Sequence, residues 1–93
     1  MCSRFNTGNI AGKWGDYNCD LPPWTYEHML NFIAKELPEI NYAIFTGDMP
    51  PHDVWAETRN TSISTDEFEM GMFRKILPSI KLFPAVGNHE VCL

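Results

Sequence analysis

Two short strings hold most of the side chains able to do chemistry. One is Gly47-Asp48, followed four residues later by His52; the other is Gly87-Asn88-His89-Glu90. An aspartate carboxylate and an asparagine carbonyl are oxygen ligands that suit hard or borderline divalent cations. A carboxylate can also share its two oxygens between cations ~3.5–4 Å apart, as in a two-metal site. His89, beside Asn88, is of a type that passes a proton to a leaving oxygen near neutral pH. His52 lies on the same loop as Asp48, within reach of the same point. The glycine ahead of each polar residue lets the backbone turn sharply. A blander reading stands beside this one: Gly-Asp after a strand commonly just starts a turn, and Asn-His-Glu is an ordinary solvated loop string. His28 falls on the polar side of a helix and is assigned no role. Trp14, Trp24 and Trp55 are read as packing residues, and Met29, Met70 and Met72 as helix filler.

The elements that would position these strings are legible from period and punctuation. The first twenty residues, rich in Gly, Asn and Asp, read as irregular loop. Pro22-Pro23 marks a helix start, since a missing N–H costs nothing in the first turn. Tyr26, Met29, Leu30, Ile33 and Leu37 follow as one apolar stripe, and Pro38 ends it. Tyr42 to Thr46 reads as a buried strand. Residues 49–63 are expected to be loop, and Ser64 with Glu67 to form the capping box of a second helix. Phe68, Met72, Phe73, Ile76 and Leu77 supply its apolar side, Pro78 its end. Ile80 to Val86 is the second strand, with Pro84 counting against a central position. No internal repeat is visible. The order loop, helix, strand, loop, helix, strand predicts an α/β fold with parallel strands joined through the second helix. Both strands would then end on the edge where open α/β sheets place ligands, so Asp48 and Asn88 should face one crevice.

Composition removes other classes. Ninety-three residues allow at most one domain or a piece of a larger one. A net charge of −5 argues against binding a nucleic acid backbone, which needs a basic face. No apolar run approaches the ~20 residues of a transmembrane segment, and residues 1–14 have no apolar stretch of the secretory-signal kind. Three cysteines without a C-x-x-C pair argue against a zinc knuckle. Cys2 and Cys19 could close a short loop in an oxidising compartment, which leaves Cys92 over. Asn60-Thr61-Ser62 is an N-glycosylation acceptor string, placed in the expected surface loop.

The strings TGDMPPHDVW (46–55) and FPAVGNHE (83–90) together resemble the metallophosphoesterase, or calcineurin-like, superfamily. AGKWGDYNCDLPPWTYEHML (11–30) narrows the likeness to the acid sphingomyelinase family of secreted and lysosomal phosphodiesterases. It runs from about Cys2 to Glu90. The resemblance implies a fragment of a catalytic β-sandwich flanked by helices. Residues 1–21 would be a disulfide-containing loop, and 22–93 the helix-strand-helix-strand part with two metal loops. It implies that Asp48 bridges two zinc ions and that Asn88 ligates one. It makes His89 the proton donor, with His52 contacting the scissile phosphate or assisting. Glu90 would orient its neighbours without touching metal, Cys2 would pair with Cys19, and Asn60 would be a glycan acceptor. The implied reaction releases phosphocholine and ceramide from sphingomyelin, a phospholipid substrate.

The family's first metal block, Asp-x-His, would precede Cys2, and its later histidine loops would follow Glu90. Neither is in the sequence, nor is a saposin-like segment. Catalytic zinc usually takes three protein ligands. Asp48 and Asn88 cannot fill two such sites, so residues 1–93 alone are expected to bind zinc weakly and to be inactive. Open sheet edges predict poor folding or self-association of the 93-mer. Two other readings stay open: a secreted, non-catalytic truncated paralogue or binding module, and a calcineurin-like phosphomonoesterase acting on another substrate.

Overall fold

The structure, a computed structural model, describes residues 12–17, 19–50 and 58–91. Cys2, His52, Trp55 and Cys92 lie outside the described residues. The element order is α1 (Pro23–Glu36), β1 (Tyr42–Phe45), α2 (Arg59–Ile76), β2 (Lys81–Pro84) and α3 (Asn88–Val91).

Helix α1 opens at the two prolines. Pro22 is its extended N-cap and Pro23 takes the first helical position, where a fixed φ is already suitable. Tyr26 and Leu30 are buried, and Ile33 packs against them. Met29 and Leu37, expected in the same stripe, are instead 46% and 48% exposed. Leu37 has left the helix at φ −126°, ψ 57°. Its N–H still donates to the Ile33 carbonyl at 3.0 Å. Pro38 causes this, because its ring crowds a helical conformation in the residue before it.

The expected start of the second helix at Ser64 is too late. Helix α2 begins at Arg59, because Thr58 and Thr61 form a reciprocal capping pair. The Thr58 N–H donates to Thr61 Oγ1 at 2.9 Å, and the Thr61 N–H donates to Thr58 Oγ1 at 3.2 Å. Ser64 and Thr65 lie inside the helix, where their hydroxyls donate to the carbonyls of Asn60 (2.8 Å) and Thr61 (3.0 Å). Asn60 therefore stands in a helical first turn, exposed, and not in a loop. Phe68, placed on the apolar side, is 51% exposed, whereas Phe73 and Leu77 are buried.

The strands pair in parallel, from Tyr42 opposite Lys81 to Phe45 opposite Pro84. Both are shorter than expected. Pro84 has no N–H to continue the ladder, so Ala85 makes the last bond, its N–H donating to the Phe45 carbonyl at 2.7 Å. Among the described residues the sheet has these two strands, so the fold is α/β and the second sheet of a sandwich is not seen. Helices α1 and α2 cover one face through Tyr26, Leu30, Phe73 and Leu77, with Ala43, Phe45 and Leu82 packed beneath. Removing the Leu30 side chain beyond Cβ would cost about 2–5 kcal/mol. The other face carries Tyr42, Ile44 and Phe83, all more than half exposed.

A repetition emerges that no sequence period announced. Leu37-Pro38 and Leu77-Pro78 end their helices alike, the two leucines at φ −126°, ψ 57° and φ −123°, ψ 57°. Each is followed by a four-residue strand and then by Gly47-Asp48 or Gly87-Asn88. The described residues form two α–β units of one plan, both with Leu-Pro at the helix end and a glycine at the strand exit.

Candidate functional site

Gly47 and Gly87 bring the two strand exits into contact. Gly47 is left-handed at φ 88°, and a Cβ there would collide with the Gly87 backbone. A Cβ on Gly87 would in turn strike the Asp48 carboxylate and N–H. Glycine is required at 47 for both conformation and space, and at 87 for space alone. Asp48 is itself left-handed, at φ 63°. Such a residue costs about 1–2 kcal/mol, and Asp and Asn accept it most readily.

Helix α3, absent from the sequence-based expectations, supplies the compensation. It turns the chain after Asn88 so that two bonds cross between the exits. The His89 N–H donates to Asp48 Oδ1 at 3.0 Å, and the Met49 N–H donates to Glu90 Oε1 at 2.7 Å. Each unit thus offers a carboxylate to the backbone of the other. Burial acts to raise the Glu90 pKa. The N–H groups of Met49, Asp48, Glu90 and Gly87 outweigh it and hold the carboxyl below its usual range.

The Asn88 amide lies against the Asp48 carboxylate. With its nitrogen inward it donates to Oδ2 and Oδ1 at 3.1 and 3.2 Å; with its oxygen inward it faces only acceptors. In the second orientation three oxygens converge with no hydrogen between them, an arrangement that a shared cation would satisfy. The donor types therefore fit a divalent cation. Among the described residues, however, no three of His, Cys, Asp and Glu stand together as a metal cluster.

Two carboxylates that the sequence did not single out stand behind this site. Burial, then Glu90, raises the Asp66 pKa; burial, then Asp66 and Glu90, pushes Glu69 up to about 7. Burial and then Glu69 push the Tyr26 phenol up to about 12, and its hydroxyl donates to the Glu69 carbonyl at 3.2 Å. Asp66 Oδ1 and Glu90 Oε2 are buried without a hydrogen-bond partner among the described residues. The i, i+3 spacing of Asp66 and Glu69 puts them on one helix face, where both are half-buried and feel the charge of Glu90. Asp48 and Met49 close one end of a cleft of about 630 Å³, walled by Tyr26 and Met29 of α1 and by Phe68 and Glu69 of α2.

Of the residues singled out in the sequence, the structure brings Asp48, Asn88, His89 and Glu90 together. Cys19 and Asn60 belong to other parts of the chain. Sphingomyelin phosphodiesterase B of Dictyostelium discoideum is 42% identical across 97% of this chain and 15% of its own length. The sphingomyelin phosphodiesterase of Homo sapiens is 41% identical across 86% of this chain and 13% of its own. The chain belongs to the sphingomyelin phosphodiesterase family. A cyclic GMP-AMP phosphodiesterase of Rattus norvegicus, 30% identical across 97% of the chain and 21% of its own length, is also similar. The chain spans about one-seventh of the length of the sphingomyelin phosphodiesterases it matches. No protein-family model matches it. No helix among the described residues is long and apolar enough to cross a membrane.

Proposed function

We propose that this chain is part of the catalytic domain of a zinc-dependent phosphodiesterase that hydrolyses sphingomyelin to ceramide and phosphocholine. The observation that carries the reading is the meeting of Asp48 and Asn88 at two parallel strand ends, in a chain similar to proteins named for that reaction. Asp48 would hold two cations and Asn88 one of them, the remaining ligands lying outside these 93 residues. Zinc bound there would polarise the phosphoryl oxygens and lower the pKa of a bound water.

The chain's own residues prepare that site. Glu90 holds the Met49 N–H, which keeps Asp48 in its left-handed turn and its carboxylate turned toward Asn88. The His89 backbone anchors Asp48 Oδ1, and the same residue's ring would protonate the departing ceramide oxygen. His52 would contact the scissile phosphate or assist that transfer. A secreted or lysosomal location goes with this reading, as does a Cys2–Cys19 bridge; the disulfide-bonded state of Cys19 supports both. The exposed Tyr42, Ile44 and Phe83 support self-association of the 93-mer.

The test uses the full-length protein, assayed with sphingomyelin, cyclic GMP-AMP and a generic phosphomonoester. Asp48→Ala, Asn88→Ala and His89→Ala should each lower sphingomyelin turnover at least 100-fold. His89→Ala should do so with metal content unchanged. Preference for either other substrate would overturn the substrate assignment, and full activity in Asp48→Ala would overturn the site.

A further inference from the structure

The latch that holds Asp48 has a loose end. Glu90 Oε1 accepts the Met49 N–H at 2.7 Å, but Oε2 of the same carboxylate is buried with no hydrogen-bond partner among the described residues. On α2, Asp66 is half-buried as a residue, yet its Oδ1 is buried and equally without a partner there. Thr65 and Glu69, on either side of Asp66 in the chain, border the cleft together with Met49, the residue that Glu90 holds. Both oxygens are closed off within this chain, so a side chain from elsewhere in a larger protein could not reach them as they stand. A buried acceptor without a donor is unfavourable, and two carboxylates of like charge are more so. One proton removes both penalties, because a protonated carboxyl is a donor and carries no charge. Surroundings decide which carboxyl takes it. Burial, then Glu90, raises the Asp66 pKa, whereas Glu90, despite its own burial, is held low by backbone N–H groups. Carboxyls pushed apart in this way divide into an acid and a base.

We propose that Asp66 is a positioning residue: in acid its Oδ1 carries a proton and donates a hydrogen bond to Glu90 Oε2, so that α2 braces the latch on Asp48. The proton comes from solvent and stays on Asp66, while Glu90 remains ionised. The bond is fully present below the ordinary aspartate value of 3.8 and is lost as pH rises through the raised one. Two carboxylates then repel, and the Met49 N–H is held less firmly. The other titratable groups nearby are Glu69 on the same helix, Tyr26 of α1, Asp20 and Asp48 at the cleft, and His89 on α3. No lysine or arginine borders the cleft among the described residues, so none replaces the proton.

The test follows hydrogen exchange at the Met49 amide in the full-length protein, read by mass spectrometry and corrected for the intrinsic rate at each pH. Pro50 and Pro51 have no N–H, which leaves few amides beside Met49 in a peptide spanning residues 47–52. Between about pH 7.5 and about pH 4.5, protection in the wild type should rise at least ~tenfold more than in Asp66→Ala. Asp66→Asn, whose amide donates at any pH, should be as well protected at the higher pH as the wild type is at the lower one. Glu69→Gln should keep the wild-type rise. An equal response to pH in the wild type and Asp66→Ala, as a water trapped between two ionised carboxylates would give, would overturn the proposal. A rise lost in Glu69→Gln would do the same, since the proton would then belong to Glu69. No arm reads phosphodiester hydrolysis, so the outcome is independent of the function proposed above.

Discussion

The α1–β1 and α2–β2 units share a plan and leave the sheet differently. In the first, Gly47 and Asp48 are both left-handed, and the chain is turned out at the cost of strain. In the second, Gly87 has no left-handed backbone and Asn88 begins a helical turn. That turn carries His89 and Glu90 back over the first exit, where they bond to Asp48 and Met49. The strained exit presents the carboxylate and the relaxed exit holds it in place. Two copies of either exit would not make this site: two left-handed turns would lack a latch, and two helical turns would lack a projecting carboxylate.

The difference can be broken most severely at the glycines. Gly47→Ala meets both an unfavourable φ and the Gly87 backbone, so a loss of about 3 kcal/mol or more is expected. Gly87→Ala meets only the steric conflict and should cost about 2 kcal/mol. Thermal unfolding would read the pair, at roughly 4–8 °C per kcal/mol. Equal losses would mean that the φ of Gly47 carries no penalty.

The carboxylates behind the latch give a pH signature. Glu69, pushed up to about 7, binds its proton more tightly in the folded state than in the unfolded one. Its contribution is fully present below about pH 4.5 and is lost as pH rises to 7. Tm should therefore fall across that range. In Glu69→Gln the fall should shrink and Tm near pH 7.5 should rise. An unchanged slope would remove Glu69 as its source. Glu90 acts in the opposite sense, stabilising above its ordinary pKa and ceasing to do so as pH drops through its lowered one.

The helix starts differ as well. Helix α1 has no side-chain cap and relies on two prolines, whereas α2 relies on Thr58. Thr58→Ala should cost about 1 kcal/mol, and Ser64→Ala no more than about 0.5 kcal/mol. The reverse ranking in a denaturant titration would restore the later helix start that the sequence suggested. The smallest effect is expected at Gly71, inside α2 with no atom within 4 Å of a would-be Cβ. Gly71→Ala should stabilise by about 0.5–1 kcal/mol.

Local chemistry explains what could be read in advance. Paired prolines fix where α1 starts and Leu-Pro endings fix where both helices stop, because those rules act within a turn of the chain. Strand order followed from helix–strand alternation, and with it the meeting of Asp48 and Asn88. The start of α2 differs from the expected Ser64 because two threonines capping each other lack the acidic residue that marks the commoner box. Sequence by itself therefore determined the α/β plan, the two exits and the family resemblance. Tertiary structure alone decided that Gly47 and Gly87 must touch, that α3 forms to latch Asp48 through Glu90, and that Glu90 comes close enough to the half-buried Asp66 and Glu69 to act on them. Those features depend on groups more than twenty residues apart in the chain approaching one another, and no local rule spans that distance.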